Sequence, residues 1–196
     1  ERVLTKAEER FSHLFKQCRW INLGGGHLIT HKDYDVNHLI ELLKSFKSRY
    51  PQAEIILEPG EAIGWETGYL VSTVLDIIDK GEVKIAMLDV SFSAHMPDTL
   101  EMPYKPKVLG SVDKGNYEYV FGGMTCLAGD YMGNYFFENP LKIGDRIVFD
   151  DMIHYTMVKT TFFNGVQHPS IAKIDQNGNF EMVKTFEYKE FKSKLS

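Results

Sequence analysis

Gly24-Gly25-Gly26 follows directly on a short, mostly apolar run, Trp20-Ile21-Asn22-Leu23. Three glycines let the backbone turn tightly and bring bare N–H groups up to an anion, commonly a phosphate monoester. A flexible connection between a strand and a helix explains the same triplet, and the local sequence does not separate the two readings. Glu58-Pro59-Gly60 closes the next apolar run. A carboxylate at a strand end can hydrogen-bond a protonated heteroaromatic nitrogen, though a solvated turn glutamate is the plainer alternative. Cys126 lies in Gly122-Gly123-Met124-Thr125-Cys126-Leu127-Ala128-Gly129-Asp130, where flanking glycines leave room for a ligand. A thiol there can protonate a carbanion, whereas a lone cysteine in an apolar stretch is more often buried and structural. Tyr155, in the strand-like run Asp150 to Thr156, could set its hydroxyl against a phosphate or a ring. Buried tyrosines that satisfy a nearby carbonyl are commoner. His154 alternates to the opposite strand face and is set aside as a catalytic group.

The elements that must hold these residues are of two kinds. Leu4, Ala7, Phe11, Leu14, Phe15 and Cys18 recur at helical spacing, so the chain opens inside a helix. A strand follows over Trp20–Leu23, and a second amphipathic helix runs from about Asp33 to Arg49, ended by Tyr50-Pro51. A further strand spans Ala53–Leu57. Both strands are short and apolar enough to be buried on both faces. After about residue 66 the texture changes. β-Branched-rich runs over Gly68–Ile78, Val83–Ser91, Tyr117–Thr125, Arg146–Phe162 and Ser170–Phe186 alternate with turn signals such as Lys80-Gly81 and Ile143-Gly144-Asp145. They predict an antiparallel β domain, with a basic tail helix over Tyr188–Ser196. Two βα units cannot close a barrel, so residues 1–65 are expected to need strands from a missing N-terminal part.

Composition narrows the function classes. The 196 residues are 43% hydrophobic and 25% charged, ordinary for a globular protein with a real core. A formal net charge of −5, with no dense Lys/Arg cluster, argues against a nucleic-acid partner. Cys18 and Cys126 stand far apart with no CxxC spacing, which argues against a disulfide framework or a cysteine-rich metal site. No apolar run approaches the roughly 20 residues needed to span a bilayer, and the first residues lack the apolar core of a signal peptide. A cytoplasmic location with no membrane partner is the expectation.

Taken in order, the motifs resemble one family. A Gly-Gly-Gly turn, Glu-Pro-Gly, a Cys with Asp four residues later, then Tyr-Thr and Phe-Asn-Gly is similar to the fold-type III pyridoxal-phosphate (PLP) decarboxylases. Gly24–Thr30, Glu58–Trp65 and Asp89–Asp98 resemble the branch acting on carboxynorspermidine. The resemblance covers essentially the whole chain. It implies a fold of α/β plus all-β type: the last βα units of a TIM-like (β/α)8 barrel over residues 1–65, then the β domain over residues 66–196. It implies a head-to-tail homodimer with shared active sites.

The resemblance also implies roles. Gly24, Gly25 and Gly26 would cradle the PLP phosphate, with Tyr155 against it. Glu58, followed by Gly60, would pair with the ring nitrogen. Cys126 would reach in from the partner subunit and protonate the substrate carbon after carbon dioxide leaves. Asp98 would contact the distal amine of the substrate. Two positions depart from the ornithine and diaminopimelate enzymes of the family. Glu61 stands where they carry a phosphate-binding Arg, and Leu127 where they carry an acidic residue. Both changes fit a longer polyamine-like substrate, with Glu61 and the retained Asp130 as candidate contacts. No lysine matches the family's PLP-binding lysine, and Lys84, in a β-domain run, is rejected for that role. The alternatives are a diaminopimelate- or ornithine-type decarboxylase of the same fold, and a non-catalytic, PLP-less member that binds a partner enzyme.

Overall fold

Apolar residues at helical spacing near the N-terminus form helix α1, Arg2–Phe15, in a computed structural model that describes residues 1–195. The chain divides into two compact units, one of Glu1–Trp65 and one running on from Glu66. In the first, α1 leads to strand β1 (Trp20–Asn22), helix α2 (Val36–Arg49), strand β2 (Glu54–Ile56) and the short helix α3 (Gly60–Gly64). α2 starts three residues later than the periodicity predicts. Asp35 caps it there, its carboxylate accepting from the His38 N–H at 2.9 Å. β1 and β2 pair in parallel, with Asn22 opposite Ile56.

Ile21, Phe46, Tyr50 and Ala53 form the core of this unit, with Phe15 set edge-on to Phe46 and Tyr50. Arg49 ties the helices together by a two-pronged contact with Glu8, at 2.7 and 2.8 Å. Burial of the strands on both faces is not found within these residues. Ile21 is buried, but Trp20 is 60% exposed and Asn22 is exposed.

The second unit is built on a five-stranded sheet in the order β6-β5-β4-β3-β7. The strands are β3 (Leu70–Asp79), β4 (Lys84–Leu88), β5 (Tyr117–Gly122), β6 (Tyr131–Phe137) and β7 (Arg146–Phe149). The sheet is mixed, which corrects the antiparallel expectation. β4 and β5 run parallel, because the segment between them crosses over and carries helices α4 (Phe92–His95) and α5 (Asp98–Glu101). The other neighbouring pairs are antiparallel. Its core includes Leu88, Phe92, Met96, Phe121, Tyr135 and Phe149, with Phe121 and Tyr135 stacked at 4.6 Å.

The run read as strand from Arg146 to Phe162 breaks at Phe149. Asp151 takes a left-handed φ of 57°, and Tyr155 then opens helix α6 (Tyr155–Val158). A single 3-10 turn, Phe163–Gly165, precedes a separate hairpin of β8 (Ile171–Ile174) and β9 (Phe180–Lys184). Helix α7 (Tyr188–Leu195) follows, in the expected place; Ser196 lies outside the described residues. No helix among the described residues is long and apolar enough to cross a membrane.

α4 contributes a buried titratable group. His95 is 2% exposed, and its Nδ1 accepts the Ser91 N–H at 3.1 Å. Burial, and after it the charge of His168, pushes the imidazole down to about 4. The unfolded chain therefore binds the proton more readily, and stability falls as pH drops from 6.5 to about 4. The expected loss is about 3 kcal/mol. Urea denaturation across this range should show a shallower pH slope for His95→Gln than for the wild type.

Candidate active site

In the first unit, parallel pairing brings two strand ends side by side, and the glycine triplet and Glu58 meet there. The Leu23 N–H donates to the Ile56 carbonyl at 2.9 Å, and the Glu58 N–H donates to the Gly24 carbonyl at 2.8 Å. Gly24 and Gly26 take left-handed φ values of 73° and 78°, which only glycine adopts cheaply. Gly25 is required for a different reason. A Cβ there would stand 2.6 Å from the Glu58 carbonyl oxygen.

Asn22 links the two motifs. Its Oδ1 accepts the Gly24 N–H at 2.8 Å, and its Nδ2 donates to the Glu58 carboxylate at 2.6 Å. From its neighbours alone Asn22 reads as an ordinary strand residue. The available signal was a polar, turn-forming side chain placed last before the glycines. Glu58 itself is exposed, so its free oxygen can accept from a ligand. Gly60 begins α3 with open space where a Cβ would go, and Glu61 is exposed on the next position. The loop after the triplet is held to α3 by Thr30, whose hydroxyl donates to the Ala62 carbonyl at 2.6 Å, and by His31 edge-on to Trp65. The chemistry open to a glycine turn beside an amide-oriented carboxylate is to bind an anion and to accept from a protonated heteroaromatic nitrogen.

The second unit presents Cys126 on the loop between β5 and β6. The thiol is exposed, so the buried structural alternative is set aside. Asp130 holds this loop. Its Oδ1 accepts from the Ser91 hydroxyl at 3.1 Å and the Ser93 N–H at 3.0 Å. Its Oδ2 accepts from the Thr125 N–H at 2.9 Å and the Thr125 hydroxyl at 2.6 Å. Gly123 is needed because a Cβ there would lie 2.5 Å from the Asp130 carboxyl. Asp130 was expected to contact substrate. It is 5% exposed with both oxygens engaged inside the fold, so it positions the thiol loop instead. Ser91, Ser93 and Thr125 were not singled out from sequence, because only the crossover brings them to Asp130.

Asp98 is buried between α5 and α6. Its Oδ2 accepts from the Tyr104 hydroxyl at 2.6 Å and the Thr156 hydroxyl at 3.0 Å. Its Oδ1 is buried without a partner. Burial, and then the bond to Asp98, raises the Tyr104 phenol to about 12. Tyr155, next to Thr156, is 63% exposed at the start of α6. The turn carrying it is anchored on one side by Asp98–Thr156 and on the other by Asp151, whose Oδ1 lies 3.2 Å from His154 Nε2. Tyr155 is thus exposed rather than buried. Among the described residues, no cluster of three or more His, Cys, Asp or Glu is placed to hold a metal ion.

Residues 9–153 match the C-terminal sheet domain of the pyridoxal-dependent decarboxylases. The chain belongs to this family. It is 50% identical, over all its length and 51% of the relative's, to carboxyaminopropylagmatine decarboxylase of Synechocystis sp.. Over 97% of the chain and 53% of the relative, it is 46% identical to carboxynorspermidine/carboxyspermidine decarboxylase of Campylobacter jejuni. The crystal structure of carboxynorspermidine decarboxylase from Campylobacter jejuni, complexed with norspermidine, superposes with a TM-score of 0.87, covering 98% of this chain and 56% of that one. The chain spans about half the length of the curated relatives it matches.

Proposed function

We propose that these residues act within a longer protein that decarboxylates carboxynorspermidine, and carboxyspermidine, with PLP as cofactor. The observation that carries this reading is the meeting of the glycine turn with Glu58 through Asn22. In this reading residues 1–65 are the last βα units of a (β/α)8 barrel and residues 66–196 its β domain. The enzyme works in the cytoplasm as a homodimer with shared active sites.

When bound, PLP supplies an electron sink for the pair left as carbon dioxide departs. The backbone at Gly24–Gly26 holds its phosphate. Glu58, oriented by Asn22, accepts from the ring nitrogen and keeps it protonated. Cys126 serves the active site of a partner subunit and gives its proton to the substrate carbon. Asp98, with one buried oxygen unpaired, and the exposed Glu61 are the carboxylates available to substrate ammonium groups. The lysine that holds the cofactor is not among these 196 residues. Lys84, in a sheet strand, has its ammonium 3.5 Å from Asp79.

The test is turnover by the purified full-length protein. Carboxynorspermidine and carboxyspermidine should be converted to the free polyamines. Consumption of diaminopimelate or ornithine with carboxynorspermidine untouched would overturn the substrate. A protein that gains no visible absorbance band with PLP would instead be a partner-binding member. The 50% identity to the Synechocystis enzyme favours one second reading, in which carboxyaminopropylagmatine is the preferred substrate; faster turnover of that compound than of carboxynorspermidine would establish it.

Gly25→Ala tests the cradle itself. Its new Cβ meets backbone rather than a side chain that could swing away, so the turn must open. PLP affinity, read by titration of the absorbance band, should fall at least about tenfold, a cost of 1.4 kcal/mol.

A further inference from the structure

Two segments far apart in sequence converge on the Cys126 thiol, and both are anchored on the turn that carries α4. The loop of Cys126 is attached through Asp130 to Ser91 and Ser93, and the Ser93 hydroxyl also lies 3.2 Å from that of Thr125. The second segment, 161–165, is attached through the Thr161 N–H, which donates to the Ala94 carbonyl at 2.8 Å. Within that segment Asn164 takes a left-handed φ of 59°, followed by Gly165 at 72°. This conformation brings the Asn164 Oδ1 to 3.7 Å from the Cys126 Sγ. The thiol is exposed, and no other side-chain hydrogen bond to it is found among the described residues. Asparagine is one of the few non-glycine residues that adopt this conformation at small backbone cost.

We propose that Asn164 is a positioning residue for the Cys126 thiol, holding the acid that protonates the substrate carbon. The inference rests on the reading of Cys126 as that acid. An amide suits both protonation states of sulfur. Its oxygen accepts the S–H of the thiol, and after a half-turn of the side chain its NH2 donates to the thiolate. In the step itself the S–H electron pair stays on sulfur. The proton joins the electron pair released by the broken bond to carbon dioxide, and water later reprotonates the thiolate. Sharing the α4 anchor keeps Asn164 and Cys126 in register, since neither can shift without the same buried turn.

Two variants test this in the full-length protein. Asn164→Gly keeps the left-handed backbone and deletes only the amide, while Asn164→Asp replaces it with a charged acceptor that cannot donate. In cofactor-free protein, iodoacetamide labelling of Cys126, followed by peptide mass, should slow about fivefold in Asn164→Asp. That is the size expected for one unit charge about 4 Å from a thiolate in water-like surroundings. In the loaded enzyme, Asn164→Gly should lower kcat about tenfold with KM held within about twofold. In a Cys126→Ala background the same change should alter kcat less than about twofold, because the residue acts only through the thiol. Equal labelling rates in Asn164→Asp and wild type would overturn the pairing. An equal fall in kcat in both backgrounds would overturn the positioning role and leave Cys126 as the acid. If Cys126→Ala alone retained full turnover, the reading of Cys126 would fail and this inference with it.

Discussion

Cys126→Ala should lower decarboxylation by the full-length protein at least about 100-fold, the lower bound for a positioned general acid. The thiol is exposed on its loop, and the loop is held by Asp130 and Thr125 rather than by the sulfur. Removing the sulfur therefore deletes the acid and leaves its mounting intact. Stability in urea should stay within about 0.5 kcal/mol of wild type, as for surface substitutions away from special features. Cys126→Ser should recover little, since a hydroxyl gives up its proton far less readily than a thiol. Measuring free amine by chromatography, with denaturation in parallel, separates lost chemistry from lost fold. Wild-type turnover in Cys126→Ala would remove the thiol from the mechanism.

Asp130→Ala is expected to act in the opposite order, on the fold first. The carboxylate takes four hydrogen bonds, two from backbone N–H groups of Ser93 and Thr125 that have been turned towards it. Deleting it leaves those donors facing a small cavity. The two hydroxyls can rotate to other acceptors, but the backbone groups cannot. Removing one side of a buried, charge-assisted network costs about 3–5 kcal/mol. Urea denaturation should register that loss, and turnover should fall as well, because the Cys126 loop keeps only the Ser93–Thr125 hydroxyl contact to α4. Asp130→Asn should restore part of the stability at most, since its NH2 replaces an acceptor facing either Ser93 or Thr125. A stability within 1 kcal/mol of wild type for Asp130→Ala would mean the loop is held by other contacts.

These two expectations mark where local sequence stopped being sufficient. Asp130 and Cys126 read as neighbours in one loop, and the acid role proposed for the thiol comes from the family resemblance rather than from that adjacency. Nothing in the sequence said that Asp130 turns inward. Its partners Ser91 and Ser93 lie some forty positions upstream and arrive only because the chain crosses over between β4 and β5. Runs of β-branched residues look alike whether their neighbours run parallel or antiparallel, so the crossover was missed. Tyr155 was read as part of a strand for a related reason: alternation continues past Phe149, but the left-handed Asp151 ends it.

The sequence by itself determined the helices α1 and α2, the glycine turn and the Glu-Pro-Gly motif. Each depends on periodicity or on backbone preferences acting within a few residues. It also determined the family, since several weak motifs in one order are jointly specific. Only the tertiary structure decided that Asn22 joins the glycine turn to Glu58, that Asp130 is an anchor within the fold, and that Asn164 meets the thiol. These depend on contacts between distant segments, and hydrogen-bond partners across such distances leave no local trace in the chain.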